Sequence, residues 1–185
     1  MSRTLIKAYY ALDDPMADLE VQPASLAWWR GLCRRCDRPT RRDLDFAELR
    51  GWHSRLMLCE VLADASDMVT RIVGEEVKDL FTGQVEPKPH LRFDRGTRLG
   101  TIIDVSPERQ RAHVRRIVDT PAIAVTQGWL ELLNGRQVEL FALDYPLFAA
   151  AGENRYVITF FEVQAGDALD AMPHKGLRDM ACDNR

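Results

Sequence analysis

The chain has 185 residues, 46% of them hydrophobic and 29% charged, with 25 basic against 28 acidic side chains and a formal charge of −3. That length suits one domain of typical size with tails, and the acidic balance argues against a nucleic-acid partner held on a basic surface. No apolar run approaches the roughly 20 residues of a spanning helix, and the opening stretch lacks the apolar centre of a secretory signal, so the expectation is a cytoplasmic protein with no membrane insertion.

Residues 1–24 mix apolar and acidic side chains without a sustained period and read as an arm outside the core. Ser25 is placed to cap a first helix from Leu26 to Cys36, in which Leu26, Trp29, Cys33 and Cys36 recur at helical spacing as one apolar stripe. Pro39 then disfavours further helix. Phe46 to Trp52 reads as a second short helix, with Asp45 as cap and Glu48 completing a capping-box pattern. From there the period shortens: Arg55–Leu62 and Met68–Val73 read as strands joined by a turn at 63–67 and closed at Gly74. Glu75–Phe81 reads as a short helix stopped by Gly83.

Residues 84–105 carry Pro87, Pro89 and a basic run from Arg92 to Arg98, read as a solvated loop. Ser106-Pro107-Glu108 opens the clearest helix, with serine at the cap, proline at the first position and an acid in the first turn. It runs to about Asp119, turning Val114, Ile117 and Val118 inward and leaving Arg109, Arg115 and Arg116 opposite or on the flanks. Ile123–Leu133 and Gln137–Tyr145 read as a hairpin joined at Asn134-Gly135, and Arg155–Val163 as a third strand. Residues 164–185 show no sustained pattern and read as a flexible tail. The fold class is therefore α+β: a five-stranded antiparallel sheet with helices on one face and an N-terminal helical extension at 25–36, in one domain over residues 25–163.

Four cysteines (Cys33, Cys36, Cys59, Cys182) are too few for a disulfide framework, and Cys33-Arg-Arg-Cys36 has no second pair to complete a zinc site, so no metal is expected. There is no nucleophile elbow, zinc-protease helix or phosphate loop, so an enzyme is not expected. Trp28 and Trp29 are adjacent on one amphipathic helix and cannot share a face. Leu26, Trp28, Trp29 and Cys33 therefore form a candidate interface.

The element order, and several short strings, resemble a bacterial family of short PAS-domain proteins common in alphaproteobacteria. The strings are Arg41–Arg50 (RRDLDFAELR), Leu56–Val61 in the first-strand slot, Arg71-Ile-Val-Gly74, Asp79–Gly83 (DLFTG), Thr120-Pro121 and Tyr145-Pro-Leu147. His53-Ser54, Glu75 and Gln84 depart from the family's pattern. The resemblance implies a stand-alone sensory or regulatory domain in bacterial signal transduction, acting through protein contacts with a partner such as a sensor kinase. For the candidate interface at Leu26, Trp28, Trp29 and Cys33 it implies a homodimer or a partner contact. It also implies a small-molecule pocket that Arg71, Phe81, Trp129 and Tyr145 could line, the alternative being that these are ordinary core and sheet residues. Residues 75–119 contain no cysteine, which excludes flavin–cysteinyl photochemistry, and no cofactor is expected. A haem would need an axial ligand, and His113 reads as a surface histidine at the polar edge of its helix. Two rivals stay open: a small α+β enzyme or carrier for a hydrophobic ligand, and a ligand-free interaction module.

Overall fold

Six segments pair into one antiparallel sheet in the computed structural model, which describes residues 3–19, 23–82, 93–101, 106–131, 135, 137–151 and 155–165. The strands are β1 (Arg3–Ala11), β2 (Leu56–Val61), β3 (Met68–Val73), β4 (Ala122–Glu131), β5 (Gln137–Leu147) and β6 (Tyr156–Ala165), in the order β1-β4-β5-β6-β2-β3. The helices are α1 (Ala24–Arg35), α2 (Glu75–Thr82) and α3 (Pro107–Val118). Setting β1 aside, the hairpin β2-β3, two helices and the meander β4-β5-β6 give the antiparallel α+β arrangement expected, but with helices on both faces of the sheet rather than one.

Strand periodicity divides the core in two. Met57, Cys59 and Val61 of β2 point to an inner face, where they pack with Val77, Leu80 and Phe81 of α2 and Val114 and Ile117 of α3. Leu56 and Leu58 point to the outer face, where Leu26, Trp29 and Leu32 of α1 cover Ile123, Val125, Leu143, Tyr145, Ile158 and Phe160. The N-terminal extension is thus a full layer of the core, and the sheet is buried on both sides.

Three local expectations are corrected. Residues 3–11 are not an arm but a sixth strand, paired along β4 from Arg3↔Leu130 to Ala11↔Ala122. Ser25 does not cap α1: Pro23 holds the cap position, and the Ser25 hydroxyl, buried, meets the Tyr145 hydroxyl at 3.1 Å. Residues 46–52 form successive turns rather than an α-helix. Asp45 still accepts from the Ala47 N–H at 2.8 Å, but the capping box belongs to Thr40 and Asp43, around the short 3-10 turn Arg41–Asp43.

Other expectations hold. Ser106 accepts from the Arg109 N–H as the cap of α3, with proline in its first turn. Gly135 takes a positive φ of 78° in the β4–β5 connection, while Asn134 lies outside the described residues. Gly74 is required by close approach: its N–H donates to Leu56 O at 2.8 Å, and a Cβ there would collide with the backbone carbonyls of His53 and Ser54. Residues 83–92 and 102–105 of the central loop, and the tail from 166, including Cys182, lie outside the described residues.

Candidate functional site

Register brings a polar row to the middle of the inner face. Tyr9 pairs with Ala124, Ala124 with Asp144, Asp144 with Thr159 and Thr159 with Met57, so five strands contribute one residue each to a line across the sheet. Apolar neighbours fill the face around it, and three of the five carry polar groups, the Asp144 carboxylate and the Tyr9 and Thr159 hydroxyls. Buried polar groups of this kind stand only when they are bonded.

The partner comes from α3. His113 follows Gln110 and precedes Ile117 on the buried side of the helix, and its ring drops onto the row. Nε2 lies 3.2 Å from Asp144 Oδ2, and Nδ1 lies 2.9 Å from the Tyr9 hydroxyl. The Thr159 hydroxyl donates to the other carboxylate oxygen at 2.6 Å. His113 is 7% exposed and Asp144 8% exposed. A neutral ring protonated at Nε2 donates to Asp144 and accepts from Tyr9, whereas a charged ring donates to both. In either form both ring nitrogens are engaged.

Electrostatics follow from burial and its compensation. Burial would raise the Asp144 carboxyl, but the hydrogen bond and charge of His113, the Thr159 hydroxyl and the charge of Lys7 outweigh it and hold the group below its ordinary range. Lys7, beside Thr126 in the next row, is pushed down by desolvation, partly offset by Asp144. The Arg116 guanidinium lies 5.2 Å from the centre of the Tyr9 ring, closing the cluster at the β1 edge. At the other end of α3, Gln110 donates to Asp67 Oδ1 at 3.3 Å, and Asp67 accepts from the Gly100 N–H. The helix is therefore fixed over the sheet by polar contacts at both ends.

The structure does not bring together the four residues expected to line a pocket. Phe81 is on the inner face, its ring tilted against Phe93 and edge-on to Phe161. Tyr145 is on the outer face under α1, fully buried, with Trp29 stacked on it at 5.2 Å. Trp129 alternates onto the outer face with Ile123 and Val125 but is 38% exposed and outside that core. Arg71 sits at the β2–β3 register shift, where Nε donates to Glu60 Oε2 at 2.7 Å; the Tyr156 hydroxyl donates to the same oxygen. It is the partner of a surface acid, the plainer of its two readings.

Two of the four residues expected at an interface, Leu26 and Trp29, lie inside the core instead. Leu26 is 1% exposed and Trp29 0%, both inside the outer-face core, and half-buried Trp28 packs its ring 5.2 Å from Phe160. Adjacent residues straddle the seam between helix and sheet, so both indoles turn inward. Cys33 is half-buried, and burial, aided by Asp37 and Cys36, pushes its thiol up; Cys36 moves the same way. Raised thiols are poor nucleophiles and poor metal ligands.

His113 reads from sequence as a surface histidine at the polar edge of its helix, whereas it is buried. The overlooked signal was an aspartate inside the apolar run Phe141-Ala-Leu-Asp-Tyr-Pro-Leu147: an inward carboxylate in a buried strand calls for a partner from another element.

No protein-family model matches the chain, and no curated protein matches it. Among solved structures it is similar to an RNA-binding Light-Oxygen-Voltage receptor, at 14% identity and a TM-score of 0.44, over 87% of this chain. The chain corresponds to 38% of that receptor's length. That similar protein is RNA-binding, which stands against the expectation of no nucleic-acid partner drawn from net charge, and that expectation is withdrawn. No described helix is long and apolar enough to cross a membrane.

Proposed function

We propose that the chain is a PAS-like sensory domain whose input is read at the Tyr9–His113–Asp144–Thr159 cluster and whose output leaves through protein contacts. The observation that supports this reading is the buried His113–Asp144 pair between α3 and the centre of the sheet. A buried ionisable pair is weak support for stability, since well-packed apolar residues of similar volume often serve as well or better. Its place at the junction of α3, β1, β5 and β6 gives a small molecule or a proton a means of shifting α3 against the sheet. Regulation is favoured over catalysis because both imidazole nitrogens are bonded within the cluster, leaving neither to take a proton from a substrate. No cofactor is invoked.

Native mass spectrometry of the purified full chain tests the input. The expected result is a retained small molecule on the wild type that is lost in Asp144→Asn. A ligand-free wild type would overturn small-molecule input in favour of an interaction module. The convergent histidine and acid also support a second reading, a small enzyme or carrier for a hydrophobic ligand. Chemical conversion of the retained molecule during incubation would establish that one instead.

A further inference from the structure

The solvent side of α3 carries four exposed arginines, Arg109, Arg111, Arg115 and Arg116, against one acid, Glu108. Helix stability accounts for them only in part: Arg115 and Arg116 stand in the last turn, where the helix dipole favours a cation, and Arg111 feels the charges of Asp64 and Glu108. Arg109 stands in the first turn, where the helix dipole favours an anion, and Arg111 and Arg115 are like charges at i,i+4 spacing. Among the described residues no carboxylate lies within ion-pair distance of any of the four. On a chain with a formal charge of −3, this concentration of positive charge is local.

Two features limit what fits it. Arg109 to Arg116 spans seven residues of rise, about 10 Å, and Glu108 and Asp119 mark its two ends. Among the described residues the two exposed large apolar side chains, Phe46 and Trp129, both lie elsewhere, so none of them interleaves with the arginines to stack on bases. The face also touches the buried cluster directly. Arg109 and Arg116 neighbour His113 at i,i+4 and i,i+3 spacing, and Arg116 lies over Tyr9, whose hydroxyl meets His113.

We propose that this arginine face of α3 is the surface on which the domain docks an acidic segment of a partner protein, with Arg116 and Tyr9 joining that surface to the buried histidine. The proposal rests on the reading of the chain as a regulator acting through protein contacts, and it names the contact. Fluorescence anisotropy with a labelled oligoglutamate peptide at low salt tests it on the full chain. Wild type is expected to bind, with affinity falling as salt rises. Arg109→Gln with Arg115→Gln should weaken binding about tenfold, in line with two exposed charge pairs. Arg34→Gln with Arg50→Gln, which removes the same charge from exposed positions on the other side of the molecule, should leave it within about twofold. Circular dichroism confirms that each variant is folded. No binding by wild type, or equal weakening in both double variants, would overturn the proposal. So would tighter binding of a single-stranded RNA of matched charge, which would assign the face to nucleic acid. None of these outcomes bears on a small molecule retained at Asp144, so the two readings fail separately.

Discussion

Asp144→Ala is expected to destabilise the fold by about 3–5 kcal/mol, the cost of removing one member of a buried charged network. His113 Nε2 and the Thr159 hydroxyl lose their acceptor together, and Lys7 loses the nearest charge that offsets its desolvation. For a chain of this size each kcal/mol lowers the melting temperature by roughly 2–4 °C, so calorimetry resolves the effect easily. Converting the set to apolar residues, His113→Leu with Asp144→Leu and Thr159→Val, is expected to recover most of that loss. The pair gives the cluster a role other than stability if the triple variant folds well yet no longer responds to ligand. The pH dependence has a definite sign. Because the folded-state value of Asp144 lies below the ordinary aspartate value of about 3.9, its contribution is fully present above that value. It is lost as pH falls through the lower folded-state value. Asp144→Asn should flatten the acid limb of the stability profile.

Trp29→Ala is expected to cost about 3–5 kcal/mol in urea unfolding, the range for deleting a fully buried aromatic side chain. Trp29 is 0% exposed, stacked on Tyr145 and enclosed by Leu26, Leu32 and Phe160 of the outer-face core. A surface tryptophan reserved for a partner would lose within about 0.5 kcal/mol on the same change. The measurement thus separates α1 as a core layer from α1 as a docking helix. It also shows whether the sheet keeps its fold once the outer face opens to water.

What was legible in the sequence was what local chemistry determines. The β2-β3 hairpin, α3 with its Ser106 cap, and the dense β-branched and aromatic β6 were all found within one or two residues of their observed bounds. Each has its signal inside its own segment. β1 was missed because RTLIKAYYA alternates poorly: Lys7 and Tyr9 face the polar cluster, so the strand's inner positions do not read as apolar. Ser25 was read as a cap because serine suits that position, but the hydroxyl meets Tyr145, a residue distant in sequence. The same limit hid the site. His113 and Asp144 are unremarkable alone, one among arginines and the other between Leu143 and Tyr145. Only the pairing of β4, β5 and β6 beneath α3 makes them neighbours. Likewise, helical spacing puts Trp28 and Trp29 at different angles on α1, but does not reveal that the sheet lies beneath both.

The state of the His113 ring tests the central claim most directly, through nitrogen-detected NMR of the imidazole at neutral pH. The structure predicts a slowly exchanging Nε2 proton, held by Asp144 and shielded by α3, with its signal abolished in Asp144→Ala. A His113 ring whose protons exchange as fast as those of exposed His53, unchanged by the Asp144 substitution, would contradict it.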